Sequence, residues 1–546
     1  MTSAGCRILV LAPCFAVACS SSGAQKPSGT GGAPGTGGVT SAGGGSGSGG
    51  VTGAGGARSS GGATGAGGAA STGGVTGAGG ATGTGGIAGS TSLGGAAGTG
   101  GVKGSGGVPN TGGVTGSGGV PSTGGVAGTG GATGTGGATG TGGAMGTGGS
   151  TGTGGSAGAG GATGTGGAAY PFPQNFKGTY CTLPTSYDNE KVRAAYQAWK
   201  TATVTSDGAG GFLRVKKPDS GTVIGSSVSE GIGYGMILAV YMNDQSLFDG
   251  LWQYEQLHLD GNGLMNWEIG PDGNTTSGGT GAATDGDEDM AWALVMADRQ
   301  WGGKGTLADT YLNTAKKLID LIWTYEVDQT RGYMLKPGDQ WGNVDVTNPS
   351  YFAPAYFRVF GQVTGQATDW NNVVTGNYDI LGRSLNASSG NATNGLVPAW
   401  CNSAGTPVSA FSGAPLYFQN DSTRTPFRVG QDYCYFGTLS AKNYLDKITS
   451  FYVGIGVSKI VDGYDLNGTP HPDKAVNGAQ SASFVGPAGV GAMSDAKYQS
   501  FLDGAYAAVA TLNLTAGTIY YQKSWTTLSL LMMTGSLVDF TQLPVK

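Results

Sequence analysis

The chain has 546 residues, 112 of them Gly, with 28 Lys and Arg, 33 Asp and Glu, and two His. Residues 1–169 hold 67 of the glycines and no acid, Trp or Tyr, so the formal charge of residues 170–546 is −9. An acidic surface argues against nucleic acid as a partner, and His258 and His471 alone cannot furnish three-His or HExxH metal sites. No stretch reaches the roughly 20 apolar residues of a membrane span.

Residues 1–19 read as an export signal: Arg7, the apolar run ILVLAPCFAVA, then Cys19. Ala16-Val17-Ala18-Cys19 resembles a bacterial lipobox, with Ala16 where Leu is usual. A lipid on Cys19 is the expected membrane contact; cleavage after Ala18 without lipid is the alternative, and either makes the protein a cell-surface or secreted one. Residues 20–169 repeat a six-residue unit, as in GGATGT-GGATGT-GGAMGT. They lack the bulky residues of a solenoid and the third-position Gly and Pro of a triple helix. The expectation is a disordered linker whose span is about 60–70 Å.

Residues 170–546 read as one all-α domain, an expected monomer. Apolar spacing of three and four gives a stripe at Val192, Ala195, Tyr196 and Trp199, and another at Met236, Ile237, Val240 and Tyr241. Further helical segments follow at 247–257, 290–301, 307–325, 351–363, 370–385, 427–445, 498–512 and 525–533. Strand patterns are few and short, as at 332–335. About ten to twelve helices must then bury their stripes on one another.

Three acidic motifs precede helices. Glu230 lies in VSEGIGYGM, with Gly231, Gly233 and Gly235 behind it. The run Asp285-Gly286-Asp287-Glu288-Asp289 opens a strongly apolar helix. Capping and the helix dipole account for one or two of these acids but not four, so either a cation is bound or a carboxyl keeps its proton. The third motif is Asp421-Ser422-Thr423-Arg424-Thr425-Pro426-Phe427-Arg428, where Asp421 taken alone reads first as an N-cap for the helix that follows. With His so scarce, carboxylates are the expected source of proton chemistry, and neither cofactor nor metal is required. Asp260-Gly261-Asn262-Gly263 lacks the spacing of a calcium loop and reads as a turn.

ATDGDEDMAWALVMADRQW at 283–301 resembles the signature of glycoside hydrolase family 8, a family of inverting endoglucanases, xylanases and chitosanases. SEGIGYGM, Asn348-Pro349-Ser350-Tyr351-Phe352 with Pro354, and the D-x-x-R-x-P-x-R stretch at 421–428 match further segments in family order. The resemblance implies an (α/α)6 barrel with a cleft across one end. It implies Glu230 as general acid, Asp421 as general base and Asp285 as the acid at the cleft floor holding the sugar at the cleaved position. Arg424 is then placed to keep Asp421 ionised. Trp267, Trp341 and Tyr351 are candidate sugar-binding rings, whereas Trp292 and Phe360 read as core. Asn420 stands where relatives often have Tyr.

The implied function is endo-hydrolysis of a β-1,4-glucan, a polysaccharide substrate. The alternatives are a xylanase or chitosanase of the same family, or a non-catalytic glycan-binding surface lipoprotein. A polysaccharide lyase fits poorly with so few His. Among Cys181, Cys401 and Cys434, one disulfide is expected, assigned here to Cys401–Cys434.

Overall fold

A computed structural model of the chain describes residues 168–221, 223–472, 480–514 and 516–544. The expected export signal at 1–19 and all but two residues of the expected linker at 20–169 lie outside these. The described residues hold twelve α-helices in six consecutive pairs: α1 (Asn189–Thr203) and α2 (Ser229–Tyr241), α3 (Gln245–Glu255) and α4 (Thr284–Trp301), α5 (Tyr311–Tyr325) and α6 (Pro354–Thr364). The series continues with α7 (Ala367–Ser384) and α8 (Arg424–Phe436), α9 (Leu439–Ile455) and α10 (Ala482–Ala492), α11 (Gln499–Ala510) and α12 (Ile519–Met533). Three antiparallel two-residue pairs lie in the loops: Val204–Thr205 with Arg214–Val215, Ser227–Val228 with Glu268–Ile269, and Val327–Asp328 with Met334–Leu335.

The two members of each pair differ in kind. The odd-numbered helices are amphipathic: α1 buries the expected Val192, Ala195, Tyr196 and Trp199 and turns Glu190, Lys191 and Arg193 outward. Side chains cap several of them, Asp188 accepting from the Glu190 amide at α1 and Asp244 from the Leu247 amide at α3. The even-numbered α2, α4, α10 and α12 are buried on nearly every face. A helix without a polar face must be enclosed, so the even helices form an inner ring and the odd ones an outer ring. This is the (α/α)6 barrel.

All six inner helices begin at one end. Glu230 of α2, Asp285 of α4, Arg424 of α8 and Tyr520 of α12 meet there through hydrogen bonds. Thr423, just before α8, donates to the carbonyl of Ser483 in the first turn of α10. Tyr351, just before α6, lies under the Arg424 guanidinium. Close approach of α2 and α4 depends on two glycines. A Cβ on Gly233 would stand 2.7 Å from that of Asp289, and one on Gly286 would stand 2.6 Å from Ser229 Oγ.

The structure differs from the sequence reading at three places. The segment 427–445 is two helices, because Gly437 takes a left-handed φ of 65° and ends α8. Helix α10 has no counterpart in the expected set. Its sequence ASFVGPAGVGA carries Pro487 and three glycines, which read as loop. Tertiary contact outweighs that propensity: a Cβ at Gly486 would strike Ser529 Oγ at 2.2 Å, and one at Gly489 would meet Met533 Sδ at 2.8 Å, so small residues bring α10 against α12. The disulfide joins Cys181 to Cys434, with a Cα–Cα separation of 5.0 Å, and not Cys401 to Cys434. Cys434 lies near the C-terminal end of α8, a 13-residue helix about 20 Å long. Cys401 is a buried free thiol in the loop before α8, bridged to Thr347 and Pro407. The stretch at 260–263 is the expected turn, with Asp260 Oδ1 accepting from the Asn262 and Leu264 amides.

Candidate active site

The three carboxylates singled out in the sequence converge on one guanidinium. Arg424 Nη1 donates to Glu230 Oε2 at 2.7 Å and to Asp285 Oδ2 at 2.5 Å, and Nη2 stands 3.5 Å from Asp421 Oδ1. Residues 194 and 139 positions apart in sequence are thereby joined. Arg424 is thus tied more closely to Glu230 and Asp285 than to Asp421, the partner expected for it. Its side chain is 1% exposed and that of Asp285 5%, whereas Glu230 keeps 17% and Asp421 25%. Glu230 and Asp421 are therefore the two carboxylates open to solvent, while the arginine and Asp285 lie beneath them. Sharing one guanidinium limits the facing oxygens of Glu230 and Asp421 to about 8.5 Å, which admits the roughly 6.5–9.5 Å window of an inverting pair.

Each carboxylate has a further partner. The Tyr520 hydroxyl donates to Glu230 Oε1 at 2.6 Å, and Gln419 Nε2 donates to Asp421 Oδ2 at 2.8 Å. Gly231 makes the first of these possible, since a Cβ there would press on the Tyr520 ring at 3.1 Å. Tyr521 donates to the backbone carbonyl of Asn420 at 2.7 Å, fixing the loop beside Asp421. Neither tyrosine was anticipated. The available signal was position: Tyr520 and Tyr521 open the last inner helix as Glu230 opens the first.

Burial is the largest influence on Glu230 and raises its carboxyl to about 7; Asp285 and Asp421 push the same way, while Arg424 and the Tyr520 hydroxyl pull it down. Asp421 is also raised above the ordinary range, chiefly by burial, with Arg424 and the Gln419 amide opposing. The positive ends of six helix dipoles favour negative charge at this end of the barrel.

The acidic run on α4 resolves into two different solutions. Arg428, one turn after Arg424, binds Asp289 in bidentate fashion at 3.0 and 3.1 Å and reaches Glu288 at 3.2 Å. Arginines at 424 and 428 thus match acids at 285 and 289, a two-rung ladder across the barrel axis, and each guanidinium lies over a tyrosine ring, Tyr351 or Tyr356. Asp287 pairs with no cation among the described residues. Burial raises its carboxyl well above the ordinary range, with the charge of Glu326 pushing the same way, and burial raises Glu326 itself to about 8. Two arginines and a retained proton together accommodate four acids in five residues.

The expected sugar-binding rings lie on the loops at this end. Tyr351 is buried under Arg424, 5.2 Å from ring centre to guanidinium. Trp267 is half-buried in the loop before α4; its carbonyl accepts from the Ser229 amide next to Glu230, and its indole donates to the Gly278 carbonyl. Trp341 is half-buried in the loop before α6. Trp292 and Phe360 are core, as expected.

The family model of glycosyl hydrolases family 8 matches residues 178–535. Endoglucanase A of Acetivibrio thermocellus is 40% identical over 369 residues, which cover 66% of this chain and 74% of that protein. Endoglucanase 2 of Ruminiclostridium josui is 39% identical over 374 residues, 67% of this chain and 76% of its own. Among solved structures, the apo β-1,3-1,4-glucanase of Paenibacillus sp. X4 superimposes with a TM-score of 0.60 at 31% identity, covering 67% of this chain and 98% of that one. The matched region contains the barrel, the ladder and all three converging carboxylates, and the chain belongs to glycosyl hydrolases family 8.

Proposed function

We propose that the protein is an endo-acting hydrolase of β-1,4-linked glucan that inverts configuration, with Glu230 as general acid and Asp421 as general base. The observation that carries the reading is the shared guanidinium: Arg424 holds both reachable carboxylates and the floor acid Asp285 in one cluster. The polysaccharide lies across the cleft with the cleaved bond above Arg424. Glu230, kept protonated near neutral pH by burial, gives its proton to the glycosidic oxygen as the bond to the anomeric carbon breaks. A water on the opposite ring face attacks that carbon and loses its proton to ionised Asp421. Asp285, fixed by Arg424, binds the sugar whose bond is cleaved. The endoglucanase and β-glucanase relatives support glucan as the substrate class.

The test is to incubate the protein with carboxymethylcellulose, mixed-linkage glucan, xylan and chitosan. New reducing ends are expected from the glucans, with the α-anomer formed first by proton NMR. Preferential release from xylan or chitosan moves the substrate class within the family. A first-formed β-anomer contradicts inversion, and no release from any of the four favours a glycan-binding protein.

We also propose export, with anchoring through a lipid on Cys19. The lipobox-like Ala16–Cys19 segment and the Cys181–Cys434 disulfide, a bond that persists in oxidising compartments, support it. Fractionation with and without Cys19→Ser is the check: the lipidated protein partitions into detergent and the variant does not.

A further inference from the structure

The loops before α6 and α8 carry a small core of their own. Val346, Ala399, Trp400 and Ala414 are buried together, with Trp341, Val408, Ala410 and Phe411 packed around them, separately from the barrel core. Trp400 lies at its centre and is 5% exposed. Its ring stacks on Trp341 at 6.2 Å with 19° between planes, and meets Phe411 edge-on at 6.1 Å. On its other side it meets Tyr351 edge-on at 6.2 Å, the ring that carries the Arg424 guanidinium.

The backbone at Trp400 is fixed from both directions. Thr347 and Cys401 exchange two hydrogen bonds, at 2.8 and 3.0 Å, and Val408 donates to the Trp400 carbonyl. Asp345 accepts from the Ser403 amide and hydroxyl, closing the same loop. The Trp400 indole nitrogen is buried without an acceptor among the described residues. Its contribution is therefore made through the ring faces and edges. A cluster this size adds little to a barrel already closed by twelve helices; it meets the barrel core at the Tyr351 ring, and what it holds still is the cleft wall.

We infer that Trp400 is a specificity-determining positioning residue: it seats the Trp341 ring, the platform for a sugar remote from the cleaved bond, against the Tyr351–Arg424 pair beneath that bond. The inference rests on the function proposed above, because Trp341 is a sugar platform only if a glycan occupies the cleft. Long substrates reach Trp341 and short ones do not, so Trp400 governs how activity rises with chain length.

The test measures kcat/KM on cellotriose and cellohexaose for the wild type, Trp400→Leu, Trp400→Phe, Trp341→Ala and the Trp341→Ala/Trp400→Leu pair, with the melting temperature of each. Trp400→Leu is expected to lose about tenfold on cellohexaose and less than about twofold on cellotriose, the scale of one aromatic contact. Trp400→Phe, which keeps a flat ring, is expected within about threefold of the wild type, and the pair no worse than Trp341→Ala alone, as for residues acting in series. Wild-type hydrolysis of cellohexaose is the control; its absence contradicts the glucan reading and this role with it. With the control in hand, equal losses on both substrates, or additive losses in the pair, overturn the role of Trp400 and leave the glucan reading standing. Trp400→Phe decides the matter if Trp400→Leu does not fold.

Discussion

The two ends of the inner helices differ in how much charge they bury and in what else holds them. At the N-terminal end, carboxylates and guanidiniums are buried together, at the positive ends of six helix dipoles. Toward the C-terminal end of α8 buried charge is sparser: Asp432 pairs with Arg358 at 2.8 Å, beside the Cys181–Cys434 disulfide and a cavity of about 250 Å³ lined by Tyr180, Tyr435, Met532, Leu537 and Asp539 among others. Charge burial is costly unless pairing is nearly complete, and the cleft end accepts that cost to hold acids at raised pKa. The far end carries a covalent crosslink about one helix length from the converging carboxylates. Activity and stability are thus separable along one set of helices.

That separation can be broken from either end. At the cleft, Glu230→Gln and Asp421→Asn are each expected to lower kcat by about 100-fold or more, the scale of acid–base catalysis, with melting temperature unchanged or raised. Steady-state kinetics beside thermal unfolding checks both parts; near-normal turnover in either variant removes the assigned role. At the far end, Cys434→Ser is expected to cost about 2–5 kcal/mol of stability while leaving turnover at low temperature intact. A rate loss in the folded variant would show that the two ends are coupled after all.

Tyr520→Phe sharpens the electrostatic side. The hydroxyl favours the ionised form of Glu230, so its removal raises that carboxyl further, and the alkaline limb of kcat/KM moves to higher pH. The rate at the optimum falls by less than about tenfold. A limb that stays in place or moves down contradicts the hydrogen bond's role.

The smallest effect concerns Glu255, wholly buried on α3, which burial raises to about 8 against the pull of the Gln256 amide. The folded chain holds this proton where the unfolded chain, with a carboxyl near 4.3, has lost it. The stabilisation it brings is complete below about pH 4 and is lost as pH rises through about 8. Glu255→Gln removes the dependence, so its melting temperature falls less between pH 5 and pH 8 than that of the wild type. The difference is on the order of a few degrees.

Periodicity carried the fold where it was strong. The stripe of α1 and the apolar runs of α2 and α4 were legible because outer helices alternate faces and these two inner ones are buried on nearly every face. Helix α10 was not, since its glycines read as a loop until Ser529 and Met533 are placed against them. The three converging carboxylates were legible as motifs. What joined them was not, because a guanidinium shared between Glu230 and Asp285 depends on contacts spanning 194 and 139 residues. Asp287 shows the same limit: the run announced an excess of negative charge, but the burial and the nearby Glu326, at the end of a different helix, that keep this carboxyl protonated depend on the tertiary fold. The disulfide was misassigned for a related reason, since loop and helix lengths do not tell which cysteines share an end of the barrel.

The most direct test of the account is the pH dependence of kcat/KM on a soluble β-glucan. It predicts a bell whose alkaline limb has its midpoint at about 7, set by Glu230, and which is absent from the residual activity of Glu230→Gln. A wild-type limb in the ordinary carboxyl range below about 5, or one that survives unchanged in the variant, would contradict the claim that a buried, protonated Glu230 drives the reaction.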